Sequence, residues 1–569
     1  MRVADVLVDV LSHHGVEQLF GIPGDAINSI MDAVNHRSDV SFIQVKHEES
    51  GAFAASAQAK LSGRLSACVG TSGPGALHLL NGLYDAAMDS APVVAITGQV
   101  ESHLVGSQYH QEVNLESLLK DVAVYSVRVS TPEQAVRAIN DACRAARSKS
   151  GVAHITISSD IAKQNVNYDS EAISEIAISK RIEPDEEALK QTIQRINNGN
   201  KITILAGMGC RHVASELIEL STKLKAPIVR TLPAKDFIDE TTPNCVGGTG
   251  LLGTKPGVSA MERCDLLLML GSDFPYADFY PDSDKVIQVD TDASKLGRRH
   301  SVSLGIQGDC GLVIKRLLEQ LNEKKNSAFL ESLLAEKEKQ INKNLAQETQ
   351  NDLQAEESQE SEQKNNHPLK PQLVMHEIAK RSPDNSIFVC DTGTVTVWAA
   401  RHLPVKQKQR FSLSSSLGSM AYALPGAIGA KLRYPNSPVV ALAGDGGFSM
   451  LMPDLLTAVR YQLPLAIVIF NNQKLGFIEL EQNADGYASS GIDVTNPDFK
   501  MMSEACGAKG IDVNSYQQLI DALDSLSEID KPTVIDVKVN PDEWVIPPKI
   551  KLKEAINFGL SKIKDALGQ

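Results

Sequence analysis

The sequence predicts an α/β protein built from three doubly wound parallel-sheet domains. Three observations carry that prediction. Short apolar runs alternate with segments of helical periodicity along nearly the whole chain, which is the pattern of βαβ units. Several of these runs break directly into glycine-rich turns that open a helix, as at Ala206-Gly207-Met208-Gly209 and Ala443-Gly444-Asp445-Gly446. The 569 residues exceed what one core can serve, at roughly 100–200 residues per domain.

Composition limits the function classes. The chain is 42% hydrophobic and 22% charged, as in a soluble globular protein. A formal charge of −14 disfavours nonspecific nucleic-acid binding. Nothing at Met1 resembles a signal peptide, and no apolar run approaches the roughly 20 residues that cross a bilayer. The eight cysteines are scattered with no Cys-x-x-Cys pair, so they read as buried thiols of a reducing compartment, and a cytoplasmic location is expected.

The first domain, 1–165, contains the strand-like runs Gln18-Leu19-Phe20-Gly21, Ser41-Phe42-Ile43-Gln44-Val45, Ser66-Ala67-Cys68-Val69-Gly70, Val93-Val94-Ala95-Ile96 and Ala153-His154-Ile155-Thr156-Ile157. Two glycine turns, at Gly24 and at Gly73-Pro74-Gly75, follow such strands and place backbone where ligands bind in open α/β sheets. The charged cluster Lys46-His47-Glu48-Glu49 also follows a strand, and the segment Gln108-Tyr109-His110-Gln111-Glu112 lies after a later one.

A polar stretch from about 164 to 184 reads as a linker into the middle domain, 184–345. There Ile202-Thr203-Ile204-Leu205-Ala206 runs into Gly207-Met208-Gly209, Leu266-Leu267-Leu268-Met269-Leu270 ends in Ser272-Asp273-Phe274-Pro275-Tyr276, and a further strand ends at Asp290. An acid at such a strand end can accept hydrogen bonds from ribose or ribityl hydroxyls. Gly308-Asp309 ends another short strand.

The stretch 346–368, poor in apolar residues, cannot bury a core and is expected to be a polar linker or an exposed helix end. The third domain, 369–548, contains the most informative unit. Val439-Val440-Ala441-Leu442-Ala443 reads as a buried parallel strand that breaks at Gly444-Asp445-Gly446-Gly447; 448–461 reads as one helix, and the strand that follows ends at Asn471-Asn472. Both strand ends open onto one edge of the sheet, so Asp445 and Asn472 can converge on one cation, and their oxygens suit Mg²⁺ beside phosphate. Beyond lie Phe477 and Glu481, four apart on one helix face. The tail, 549–569, is an amphipathic helix with interleaved lysines, suited either to packing on its own protein or to weak peripheral contact with a membrane surface.

The pairing of Gly-Asp-Gly with Asn-Asn resembles the diphosphate-binding motif of thiamin-diphosphate enzymes. In family domain order, that makes 1–165 a pyrimidine-binding domain and 369–548 a diphosphate-binding domain. The resemblance implies Mg²⁺ ligands at Asp445, Asn472 and the Lys474 carbonyl, and diphosphate contacts at Gly444, Gly446 and Gly447. It makes Glu48 the acid that hydrogen-bonds the cofactor's aminopyrimidine, where burial helps a carboxyl carry the proton. It places Met420 beneath the bent cofactor, and Gln111 near its reactive part; His110 departs from the family's usual phenylalanine. The middle third resembles the flavin-binding domain of the pyruvate oxidase group, which implies FAD contacts at Gly207, Gly209, Thr249, Asp273, Phe274, Asp290 and Asp309. Phe477 and Glu481 resemble that group's pair near flavin and substrate.

The resemblance spans nearly the whole chain and is to pyruvate oxidase and pyruvate dehydrogenase (quinone). It implies that thiamin diphosphate decarboxylates pyruvate, that FAD takes two electrons from the hydroxyethyl adduct and passes them to quinone or O₂, and that the acetyl group goes to water or phosphate. A homotetramer with active sites between subunits is expected. Two alternatives stand beside it: an acetolactate synthase that joins two pyruvates, and a noncatalytic sensor of cofactor.

Overall fold

The structure is a computed structural model that describes residues 1–170, 181–357, 368–406, 408–543 and 548, with 345–357 described by backbone alone. The tail at 549–569, the part of the expected linker at 358–367, and 171–180 lie outside the described residues.

Three six-stranded parallel sheets form the frame, as the alternating pattern predicts. The first comprises β1 (Gln18–Gly21), β2 (Ser41–Gln44), β3 (Ser66–Gly70), β4 (Val93–Gln99), β5 (Ala123–Val129) and β6 (Val152–Ser158), in the order β2-β1-β3-β4-β6-β5. The middle sheet comprises β7 (Ile202–Ala206), β8 (Ile228–Arg230), β9 (Cys245–Gly248), β10 (Leu266–Leu270), β11 (Val286–Asp290) and β12 (Leu304–Gln307). Its order, β12-β11-β10-β7-β8-β9, is that of a dinucleotide-binding sheet read from its far edge. The third comprises β13 (Ile387–Cys390), β14 (Arg410–Leu413), β15 (Val439–Gly444), β16 (Ala466–Asn471), β17 (Lys509–Val513) and β18 (Thr533–Lys538). In the order β14-β13-β15-β16-β18-β17 it repeats the topology of the first sheet. Central strands such as β4, β10 and β16 are buried along their whole length, which explains their unbroken apolar runs.

The first and third domains meet along two helices, Glu48–Ser62 and Ala423–Arg433. A Cβ on Gly429 would sit 2.3 Å from the Ala54 carbonyl oxygen, so only glycine permits this approach. Gln58 Nε2 donates to the Gly429 carbonyl at 3.1 Å across the same seam.

One expectation is corrected. The single helix expected over 448–461 is broken into Asp445–Leu451, a 3₁₀ turn Met452–Asp454, and Leu455–Arg460. Pro453 has no N–H to continue the ladder, and its ring crowds the preceding turn. The polar stretch from 346 begins as the end of a helix, one of the two forms expected of it, since Ala328–Glu357 runs into it. Its glutamates, glutamines, leucines and alanines are good helix formers.

Among the described residues, no helix is long and apolar enough to cross a membrane.

Candidate cofactor site

In the third sheet the strand order reverses between β13 and β15, and the Gly444-Asp445-Gly446-Gly447 turn sits at the carboxyl end of β15. Such switch points are where open α/β sheets take ligands. Gly444 pairs with Phe470 in the ladder, which brings Asp445 level with the Asn471-Asn472 end of β16. Asp445 is 2% exposed. Its Oδ2 accepts the Gln473 backbone N–H at 2.8 Å and the Asn496 side-chain amide at 2.7 Å. Burial pushes the Asp445 carboxyl up from its ordinary pKa, and these hydrogen bonds act against that rise. Asn472 Oδ1 accepts the Lys474 N–H at 3.2 Å. The Lys474 ammonium lies 3.7 Å from Glu479 and 3.6 Å from Asp542, so its charge is directed to acids and its carbonyl is the candidate ligand.

Met420 comes to the same turn from the β14 side. A Cβ on Gly446 would lie 3.5 Å from the Met420 methyl, and one on Gly447 would lie 2.0 Å from Asp391 Oδ2. Both glycines are therefore enclosed by side chains that a larger residue would displace.

The first domain gathers a second group at its own switch point, between β1 and β3. Glu48 opens the helix Glu48–Ser62 and is 5% exposed. Its Oε2 lies 3.0 Å from His78 Nδ1, and the His78 ring stacks on His47 at 4.4 Å. The His47 side chain in turn caps the helix by accepting the Glu49 N–H. Ligand atoms of His47, Glu48 and His78 all lie within 4.8 Å of one another, a set that could hold a metal ion. A Cβ on Gly75 would stand 3.1 Å from Glu48 Oε1, one on Gly24 would strike Thr71, and one on Gly73 would press on Gln111. Glu48, Gly24, Gly73, Gly75 and Gln111 are thus neighbours, whereas His110 is exposed. Asn81 links the two groups: its amide donates to Glu49 at 2.6 Å and to Ser419, beside Met420, at 3.0 Å.

In the middle sheet the order reverses between β7 and β10. Gly207 and Gly209 lie there because Gly271 and Ser272 press against them; a Cβ on Gly207 would be 2.5 Å from the Gly271 carbonyl oxygen. Thr249 Oγ1 and Asp273 Oδ1 are buried without a hydrogen-bond partner, while Asp273 Oδ2 pairs with Arg298 and Arg299. Phe274 is 6% exposed, its ring packed in the domain core. Asp290 accepts the Asp292 N–H at 2.9 Å, and burial raises its pKa. Asp309 caps the helix Cys310–Gln320 through the Leu312 N–H. Phe477 packs on the third-domain core, and Glu481 is exposed. Burial, and with it the charge of Glu481, raises the pKa of the Tyr276 phenol.

Sequence reasoning missed His78, Asn496 and Asp391. His78 lies on a helix with no motif around it, and Asn496 belongs to an Asn-Pro loop like many others. A carboxylate at a strand end, as at Asp391, was a usable signal.

The fold and these sites define a three-domain α/β protein with ligand sites at its sheet switch points. Models of the thiamine pyrophosphate enzyme N-terminal, central and C-terminal domains match residues 1–118, 189–317 and 391–537. The chain belongs to the thiamine pyrophosphate enzyme family. It is 41% identical over 560 residues to YdaP of Bacillus subtilis, described as thiamine pyrophosphate-containing, covering 98% of this chain and 95% of that one. It is 33% identical over 560 residues to a pyruvate oxidase of Lactiplantibacillus plantarum, covering 96% and 90% of the two chains. The large subunit of acetolactate synthase isozyme 2 from Escherichia coli is 30% identical over 562 residues, covering 96% and 97%.

Proposed function

We propose that the chain oxidatively decarboxylates pyruvate, passing two electrons to FAD in the middle domain and from there to quinone or O₂. Acetate or acetyl phosphate leaves with CO₂, according to whether water or phosphate accepts the acetyl group. The observation that carries this reading is the middle domain itself: a dinucleotide-type strand order whose carboxyl edge keeps Thr249 Oγ1 and Asp273 Oδ1 buried and unpaired. Orphaned buried polar atoms are costly, and ribityl or ribose hydroxyls would satisfy them.

The residues fit the groups expected of them. Asp445, Asn472 and the Lys474 carbonyl offer hard oxygens for Mg²⁺. Glu48, nearly enclosed, would hydrogen-bond the pyrimidine through one carboxyl oxygen, with His78 at the other. Thiamin diphosphate, if bound there, would supply a carbon nucleophile for a 2-keto acid. By their resemblance to the pyruvate oxidase pair, Phe477 would lie near the flavin and Glu481 near the substrate. In the proposed homotetramer, the first domain of one subunit faces the third domain of another, so each site draws on two chains. The proposed location is cytoplasmic, and membrane contact would fall to the tail.

The near full-length match to acetolactate synthases supports a second reading, carboligation of two pyruvates. One assay separates them. Purified protein is given pyruvate, Mg²⁺ and thiamin diphosphate, with and without phosphate, while flavin bleaching, acetolactate, acetyl phosphate and peroxide are followed. Bleached flavin with acetate or acetyl phosphate is expected; acetolactate with unbleached flavin would replace the oxidase reading, and no turnover would favour a cofactor sensor.

A further inference from the structure

We propose that Asp391 is a positioning residue for thiamin diphosphate, one carboxyl group that fixes both the Met420 loop and the glycine turn that receives the diphosphate. Asp391 follows β13, on the other side of the switch point from Asp445. It is 1% exposed. Its backbone N–H donates to Leu442 of β15, and Thr396 Oγ1 donates to its carbonyl, so the residue is held from both neighbouring elements.

The side chain acts in two directions. Oδ1 accepts the backbone N–H of Thr392 at 3.0 Å and of Tyr422 at 3.1 Å. Ala421, directly before the Tyr422 N–H that the carboxyl holds, stands at φ 69°, a left-handed conformation that an alanine adopts only when its surroundings impose it. The Asp391 carboxyl anchors the residue after that strained position, and Met420 is the residue directly before it. In the other direction Oδ2 is buried without a hydrogen-bond partner, at the place where a Cβ on Gly447 would lie only 2.0 Å away. The carboxyl is therefore wedged between the residue that bends the cofactor and the turn that holds its diphosphate. Burial pushes its pKa up to about 7, which lowers the cost of a carboxyl close to a diphosphate.

This role rests on the proposed place of Met420, and its test needs neither pyruvate turnover nor flavin. Full-length Asp391→Ala and Asp391→Asn are compared with the parent for binding of thiamin diphosphate with Mg²⁺ and for deuterium exchange at the cofactor's C2 without substrate. Asp391→Ala is expected to weaken binding and slow exchange about tenfold each, the scale of one lost charge-assisted hydrogen bond. Asp391→Asn, whose amide oxygen still accepts from 392 and 422, is expected to restore both to within about threefold. Parent-like binding and exchange in Asp391→Ala, or equal impairment in a folded Asp391→Asn, would overturn the proposal. Should Asp391→Ala not fold, Gly447→Ala pushes on the same oxygen from the other side and should reproduce the slow exchange; unchanged exchange there also overturns it. Met420→Ala, run alongside, tests the Met420 reading separately: unchanged exchange in that variant refutes the place of Met420, whereas unchanged binding in Asp391→Ala refutes the role of Asp391.

Discussion

The buried carboxylate of Asp454 accepts the backbone N–H of Lys46 at 2.9 Å. Asp454 ends the 3₁₀ turn after the helix that Asp445 begins, and Lys46 leads into His47 and Glu48. One short segment thus has the candidate metal ligand at one end and a tether to the strand end that carries Glu48 at the other. The tether is reinforced by Thr457 Oγ1, which donates to the same oxygen at 2.8 Å, and by Tyr461, whose hydroxyl accepts the Gln44 N–H at 2.7 Å.

Replacing Asp454 by alanine removes the acceptor of the Lys46 N–H and leaves the Thr457 hydroxyl with only its longer bond, 3.4 Å, to the Gln44 carbonyl. A loss of about 1–3 kcal/mol is expected in denaturant unfolding of the first transition. Amide exchange at 46–50 should rise in the same variant, and parent-like protection there would show that the tether carries no load.

Glu48→Gln keeps the shape of the side chain but removes its acid. Turnover is expected to fall about 10²–10⁴-fold, the usual contribution of a placed proton carrier, with cofactor binding retained. Steady-state kinetics beside a binding titration decide it; near-normal turnover would mean that Glu48 does not activate the cofactor.

Chelation tests the third-domain site. Protein loaded with thiamin diphosphate and passed through a desalting column with EDTA is expected to lose the cofactor, and Mg²⁺ restored before the column should retain it. Asp445→Ala should behave like the chelated parent even in excess Mg²⁺. Retention under EDTA would place the diphosphate elsewhere.

His154 gives a pH prediction. It is fully buried on β6, bonded to Thr97, Thr156 and Ser126, and burial lowers its pKa from 6.5 to about 3. The unfolded chain takes up a proton below 6.5 while the folded one does not, so the stability this group contributes is complete above pH 6.5 and is lost as the pH falls toward 3. By about pH 5 the loss should be about 2 kcal/mol. Thermal melts of the parent and His154→Gln should show a shallower acid slope in the variant; identical slopes would mean that His154 is protonated in the folded state.

The strands were legible because parallel strands buried on both faces must be apolar throughout, and β10 and β16 read that way from their residues alone. Asp445 and Asn472 were legible because a strand end and a glycine turn bring them to one edge. Pro453 was a visible break that the apolar spacing of Leu451 and Leu455 masked. The helix reaching Glu357 was legible only as one of two forms, because a stretch poor in apolar residues suits a linker and a helix end alike. Gly207 and Asp309 illustrate an ambiguity within the signal. A close strand approach and a helix cap select the same residue types as a ligand does. His78 and Asn496 were out of reach because their partners, Glu48 and Asp445, are 30 and 51 positions away in sequence.

The break at Pro453 has an evolutionary consequence. An uninterrupted helix would couple the two ends of the segment, so that a substitution altering its pitch near Asp445 would swing Asp454 away from Lys46. With the rod divided, substitutions can reshape the glycine turn at Asp445 without shifting how the first and third domains are docked. Descendants of such a chain can vary that turn while inheriting the same domain seam.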